Sequence, residues 1–366
     1  MLLRKPALKV GKWQTMTKEK ESGVDELMSR SMWRTLFLFL VLALVLTGCG
    51  KPYLSALDPA GPVAEKQLSL IKLSLYIMIV VIAVVMIIYV YVLVKFRQRP
   101  GQKGYPEQVE GSHTLEIIWT VIPIILLIIL AIPTVVTTFT LAETYPEEEE
   151  GDALLIKVTA HQYWWEVEYP EQGIVTAQDI YIPTGQRVYF ELTSKDVIHS
   201  FWVPSLGGKT DTNPGLTNNM WLQADEPGVY HGKCAELCGP SHALMDFKVI
   251  AVEPEEFEQW VATMTNYDDT PKTVLAEQGR AVFEQSCIAC HATDGVTKSP
   301  YPNLAGIGDR EKIAGILQNN EENLARWIEN PEEVKEGNYM PSASELGLNE
   351  NDIEALVEYL MQLKLQ

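Results

Sequence analysis

Cysteine and histidine are scarce in this chain: five Cys (49, 234, 238, 287 and 290) and six His in 366 residues. Five cysteines at these intervals do not make the even, dense framework of a disulfide-stapled small domain. Folding must therefore rest on apolar cores, and a chain this long has room for two or three of them. No histidine lies inside the two longest apolar runs, residues 73–94 and 117–139, which excludes an imidazole-held metal group between those segments. Basic residues are scarce in the back half. From residue 140 onward, 14 Lys+Arg face 39 Asp+Glu, whereas the first 139 residues carry 15 against 9. So acidic a surface repels nucleic-acid phosphates; it either keeps an exported domain soluble or attracts basic protein partners.

What is abundant is apolar sequence near the N-terminus. Residues 36–46 are unbroken apolar, preceded by Arg30 and Arg34 and followed by Thr47, Gly48 and Cys49. Eleven residues cannot cross a hydrocarbon core about 30 Å thick, so this run reads as a signal-peptide core. The small residues before Cys49 resemble a bacterial lipobox, which makes Cys49 a lipidation candidate; a free cysteine at the end of an uncleaved helix is the alternative. Runs 73–94 and 117–139 are long enough to span at 1.5 Å rise per residue. The loop between them holds Lys95, Arg97, Arg99 and Lys103, which the positive-inside rule assigns to the cytoplasm, placing Cys49 and everything after about residue 141 outside. Pro123 and Pro133 in the second span imply packing against other helices.

After an acidic linker, residues 147–152, the texture changes. Stretches 156–169, 188–193 and 247–252 are rich in β-branched and aromatic residues and separated by Gly, Pro and Asn clusters, the pattern of an antiparallel sandwich or barrel. An amphipathic and then polar stretch (254–272, ending NYDDTPK) forms a second boundary. Residues 273–366 are helical in pattern, with a periodic final helix over about 349–363.

The string HGKCAELCGPSHALM brings Cys234, Cys238, His242 and Met245 into twelve residues, and His199 stands between two β segments. Thiolate, thioether and imidazole together select copper, zinc or iron. The C-x3-C spacing and the extra Met245 weigh against a zinc ribbon, and a disulfide between Cys234 and Cys238 stays open in an exported domain.

These residues, with HSFWVPSLG (199–207), KTDTNPG (209–215) and LEIIWTVIP (115–123), resemble cytochrome c oxidase subunit II over about residues 66–263. The resemblance implies a cupredoxin fold with a binuclear CuA centre. In it Cys234 and Cys238 bridge two coppers, His199 and His242 bind one each, and Met245 and the Glu236 carbonyl are weak ligands. It further implies magnesium on the Glu236 carboxylate at the boundary with subunit I, and a proton-pathway role for Glu116. Glu116 would equally complement the helix dipole at its position. Where the family commonly has a tryptophan after His-Gln that accepts electrons from soluble cytochrome c, this chain has Tyr163 followed by Trp164; both are candidates for electron input or for packing. His113, His161 and His231 read as structural or surface histidines.

CIACH, residues 287–291, is a c-type haem attachment motif: Cys287 and Cys290 add to the haem vinyls and His291 is held as an axial ligand. Met340, in the polar loop GNYMPS, is the expected second axial ligand, and Met361 reads as core. A His/Met pair raises the iron potential, which suits an electron carrier. FEQSCIACH, PNLAGIG and MPSASELGLNENDIEALVEYL resemble class I cytochrome c, and by that likeness the Pro302 carbonyl accepts the His291 ring proton.

The expectation is thus a multidomain membrane protein. Its parts are an N-terminal extension and lipoprotein-type signal (1–48), a two-helix transmembrane hairpin (49–142, helices about 70–96 and 116–140), an all-β cupredoxin-like Greek-key sandwich (152–253), a linker (254–272) and an all-α cytochrome c domain (273–366). The fusion resembles the bacterial caa3-type oxidases. It implies a two-pass cell-membrane subunit, with both termini outside, through which electrons enter a haem–copper oxidase whose oxygen site is on another chain. The implied cofactors are one covalent haem c, two coppers and a shared magnesium. The implied partners are subunits I and III, membrane lipid and an external donor such as cytochrome c or a quinol–cytochrome c reductase, with no nucleic acid. Two other readings stay open: the electron-input subunit of a nitric oxide reductase, and a stand-alone membrane-anchored carrier.

Overall fold

The computed structural model describes residues 32–44, 54–101, 104–105, 110–146 and 153–365. Cys49, Lys103 and the acidic linker 147–152 lie outside the described residues. The chain divides into a unit of residues 1–52 and a unit of residues 53–366. In the first, α1 (Met32–Leu44) is an apolar helix too short to span.

In the second unit, α2 (Pro62–Lys95) and α3 (His113–Leu141) are the two long apolar helices. At 34 residues α2 is about 51 Å long, well beyond a bilayer core. The surplus is its N-terminal end, which starts at Pro62 rather than near residue 70. There Val63, Ala64 and Leu68 are buried, and Val63 packs with Leu155, Tyr189 and Trp221 of the following domain. Glu65, Lys66 and Gln67 interrupt the apolar run in sequence, which is why periodicity does not reveal those first turns. Beyond Leu68 neither helix buries a side chain, and α3 continues through both internal prolines.

Ten strands form the sandwich: β1 (Leu154–His161), β2 (Trp164–Tyr169), β3 (Ile174–Ala177), β4 (Asp179–Pro183), β5 (Val188–Ser194), β6 (His199–Trp202), β7 (Thr210–Thr212), β8 (Asn218–Leu222), β9 (Gly228–Cys234) and β10 (Asp246–Val252). They make two five-stranded sheets, ordered β3-β2-β1-β5-β8 and β4-β10-β9-β6-β7. Most pairs are antiparallel; β1 with β5 and β4 with β10 are parallel. The β-rich stretch 156–169 is a hairpin turning at Gln162–Tyr163, with His161 opposite Trp164. Between the sheets, Trp165, Phe190, Phe201 and Phe247 are almost wholly buried, Trp165 with its ring edge-on to Phe201 at 5.6 Å.

The stretch expected to act as a linker contains α4 (Pro254–Thr265), with Pro at its first turn and two glutamates complementing the helix dipole. Phe257, Trp260 and Met264 join the sandwich core, Trp260 stacking on Tyr181 at 4.7 Å.

The C-terminal domain is built on α5 (Val274–Ser286), a short hairpin of β11 (Lys312–Ile313) and β12 (Leu317–Gln318), α6 (Glu321–Glu329), α7 (Pro331–Val334) and α8 (Glu350–Gln362). Asn349 and Asp352 form a reciprocal capping box at the start of α8. Helices α5 and α8 cross at Gly279, where a Cβ would lie 1.9 Å from the Ala355 carbonyl oxygen, so only glycine lets them approach.

This domain sits directly on the sandwich. The Val175 amide donates to the Gly295 carbonyl at 2.8 Å, Lys248 pairs with Glu311 at 3.1 Å, and Lys298 bridges to Glu166 at 2.9 Å and to Glu168.

Candidate functional site

Strand alternation and one wide loop assemble the sulfur-rich site. His199 opens β6 and is fully buried; Cys234 closes β9, and the chain returns to β10 through residues 235–245. The Cys234 amide donates to the Met245 carbonyl at 3.0 Å, closing the neck of that loop. The Cys234 and Cys238 sulfurs are 3.8 Å apart and unbonded, so the disulfide alternative is not realised. Each sulfur has its own imidazole: His199 Nδ1 lies 3.9 Å from Cys234 Sγ and His242 Nδ1 3.6 Å from Cys238 Sγ. Met245 Sδ is 3.9 Å from Cys238 Sγ, and the Glu236 carbonyl 3.3 Å from Cys234 Sγ. Donor atoms of His199, Cys234 and Cys238 fall within 4.8 Å of one another in a buried pocket. Two sulfurs flanked by two imidazoles, with a thioether and a carbonyl at the periphery, fit a two-copper group, whereas a single tetrahedral zinc would leave the last two donors without a role.

The hydrogen bond from Cys238 pulls the Cys234 thiol far down, and by the same coupling the Cys238 thiol is pushed up. Burial opposes charge on His199, yet hydrogen bonds with Asp196 and Cys234 outweigh it and raise its pKa. Asp196 Oδ1 holds His199 Nε2 at 2.8 Å, which orients Nδ1 toward the sulfurs. Its other oxygen accepts from the Gln162 amide at 2.7 Å, and the Gln162 side chain donates to the Cys238 carbonyl at 2.6 Å. Sequence reasoning missed both supporting residues. The place of Asp196 three residues before His199 was the only signal available for it.

The Glu236 carboxylate is separate from the sulfur cluster: half exposed, it stands 3.5 Å from Lys209, which is 3.9 Å from Asp211. Glu116 lies in the first turn of α3, 3.5 Å from His113.

In the C-terminal domain, α5 ends at Cys287 and the turn continues, with the Cys290 and His291 amides both donating to the Cys287 carbonyl at 3.0 Å. That turn presents Cys287, Cys290 and His291 to one cleft, which Phe283, Leu324, Leu356 and Leu360 floor and Met340 borders. His291 Nδ1 donates to the Pro302 carbonyl at 2.8 Å, the bond expected from the likeness to class I cytochromes, and leaves Nε2 as the free ligand atom. Burial lowers the His291 pKa and pushes the Cys287 thiol up to about 11. An apolar cleft with two thiols, an oriented imidazole and a thioether fits a covalently held haem.

The two sites share a wall. Gln162, Tyr163 and Trp164 from the sandwich line the haem cleft, and Tyr163 and Trp164 are buried there, 4% and 9% exposed. Trp164 stacks on His161 at 4.3 Å, and His161 Nε2 lies 3.3 Å from Glu166. Both aromatics therefore face this chain's own haem cleft rather than solvent.

Known proteins place these features in one family. The profile of "Cytochrome C oxidase subunit II, transmembrane domain" matches residues 51–136, that of "Cytochrome C oxidase subunit II, periplasmic domain" residues 172–252, and that of "Cytochrome c" residues 276–364. The cytochrome c oxidase subunit 2 of Alkalihalophilus pseudofirmus is 52% identical, that of Bacillus sp. PS3 54% and that of Bacillus subtilis 49%. Each of these alignments covers 91% of this chain and 98% of the relative. These domains imply binding of CuA copper and haem c, attachment to the membrane and assembly with other oxidase subunits and a cytochrome c donor. The chain belongs to the cytochrome c oxidase subunit II family and, with its fused cytochrome c domain, is the subunit through which electrons enter a haem–copper oxidase.

Proposed function

We propose that this chain carries its own donor site and acceptor site in fixed contact: Cys287, Cys290, His291 and Met340 hold haem c, and His199, Cys234, Cys238, His242, Met245 and the Glu236 carbonyl hold CuA. When bound, the two groups supply one-electron carriers, the first receiving electrons from outside and the second delivering them to subunit I. The residues around them orient and insulate. Asp196 fixes the His199 ring, Pro302 fixes the His291 ring, and the aromatic core around Trp165, Phe201 and Phe247 keeps water from the sulfurs. The observation that carries this reading is the shared wall, in which Gln162 lines the haem cleft and donates to the carbonyl of Cys238.

Finer assignments follow from the same reading. The Glu236 carboxylate, half exposed beside Lys209, binds magnesium against subunit I. Glu116 serves a proton pathway at the cytoplasmic end of α3. Subunit III is a further partner, oxygen is the terminal acceptor, and the soluble domains lie outside the bacterial cell membrane, with Cys49 lipidated.

Metal analysis and near-infrared spectra of the purified full chain test the central claim. Two coppers sharing one electron, with one haem that survives denaturation, support it. Zinc at Cys234 and Cys238, or haem released on denaturation, sinks it. Mass spectrometry of the mature N-terminus decides the lipid at Cys49.

A further inference from the structure

Lysine is seldom buried, because its ammonium loses hydration unless every donor finds an acceptor. Lys335, at the end of α7 in the cytochrome domain, is 3% exposed. Its Nζ donates to the Ala314 carbonyl of its own domain at 2.8 Å and to the Tyr163 carbonyl of the copper domain at 2.7 Å. Burial pushes the group down to about 8, with Asp246 opposing. A side chain that costs stability in this way can specify register instead.

The residues after Lys335 continue the contact in both directions. Toward the copper loop, the Ser241 hydroxyl donates to the Glu336 carbonyl at 2.7 Å, and Ser241 precedes His242. Gly337, at φ +75°, passes so close that a Cβ there would stand 3.3 Å from the Tyr163 hydroxyl; one on Gly239, on the copper side of that hydroxyl, would stand 2.4 Å from it. Toward the haem, Asn338 donates to the Lys335 carbonyl at 2.7 Å and accepts from the Met340 amide at 2.9 Å. One short segment thus joins the loop bearing Met340 to the loop bearing Cys238 and His242.

We propose that residues 335–340 form a latch, with Lys335 as its positioning residue, that holds the cytochrome domain in one register over Tyr163 and closes that face to any external protein donor. The proposal rests on the assignment of the two sites above and adds how they are kept in register. It also means that an outside donor must deliver electrons at a part of the haem cleft away from Tyr163 and Trp164.

The test uses the intact oxidase with Lys335→Met, which keeps the length of the side chain and removes its donors. The readouts are hydroxyl-radical labelling of the Tyr163 side chain, the methionine–iron absorption band, and the rate of haem-to-copper electron transfer after flash reduction. The expected result is labelling of Tyr163 raised roughly tenfold and transfer slowed, with metal content and the methionine–iron band retained. A purely local role for Lys335 inside the cytochrome domain would instead abolish the band while leaving Tyr163 shielded, and that result overturns the proposal. So does labelling within about twofold of the unmodified chain. Should the variant fail to fold, Ser241→Ala decides: it removes the bond between the copper loop and Glu336 of the latch, severalfold labelling supports the latch, and unchanged labelling refutes it. Labelling of Tyr163 does not depend on the metals, so a chain that bound zinc would unseat the site assignment and still report on the latch.

Discussion

Replacing Lys298 with methionine isolates one electrostatic strut between the two soluble domains. Lys298 reaches from the cytochrome domain to Glu166, a carboxylate only 6% exposed, and to Glu168 beside it. Burial pushes the Glu166 carboxyl up, but His161 Nε2 at 3.3 Å and the Lys298 ammonium at 2.9 Å outweigh it and hold it at about 2 rather than 4.5. A carboxyl so depressed contributes about 3 kcal/mol, fully present above pH 4.5 and lost as pH falls through about 2. His161 remains as a partner in the variant, and Lys298 is itself 58% exposed and screened, so only part of that, on the order of 1 kcal/mol, belongs to the lysine. The reporter is the Val175 amide on edge strand β3, whose acceptor is the Gly295 carbonyl of the cytochrome domain. Hydrogen exchange at Val175 should accelerate severalfold in Lys298→Met at neutral pH. The difference should shrink as acid protonates Glu166. Exchange unchanged at neutral pH, or a difference that persists undiminished near pH 2, would refute the account.

Asp196→Ala frees the His199 ring and should lower copper affinity roughly 10–100-fold in a chelator competition; affinity within twofold would show that Asp196 does not orient the ring. Met340→Leu should keep the haem covalently attached but lose the methionine–iron band and lower the potential, whereas Met361→Leu should change neither. Gly279→Ala drives a methyl group into the Ala355 carbonyl at the α5–α8 crossing, and calorimetry should record a fall of on the order of 10 °C in the cytochrome domain's Tm. An unchanged Tm would mean that the two helices separate at little cost.

The sequence was most legible where chemistry is local. CIACH becomes a helical turn presenting Cys287, Cys290 and His291 to one cleft, because the motif is five consecutive residues and needs no partner to define it. Cys234, Cys238, His242 and Met245 lie in one loop for the same reason, and the final helix begins at its Asn349 cap. The longest apolar runs became α2 and α3, since a span announces itself by composition. Legibility ended where a residue's role depends on what a distant segment brings to it. The first turns of α2 carry Glu65, Lys66 and Gln67 and read as polar, yet Val63 packs against Trp221. Residues 254–265 read as a boundary, and became a helix whose Trp260 completes the sandwich core.

The sequence by itself determined the candidate donor side chains and their order, the two apolar helices and the division into a β and a helical domain, because each is written in spacing or composition over a few neighbouring residues. Tertiary structure alone decided that Tyr163 and Trp164 face the cleft of the C-terminal domain, that Gln162 and Asp196 brace the Cys238 loop and His199, and that Lys335 is buried across the domain boundary. The first and last depend on the docking of two surfaces more than a hundred residues apart, the second on contacts 34 and 76 residues apart within the sandwich, and hydrogen bonds such as Lys335 to Tyr163 leave no periodic trace in either segment.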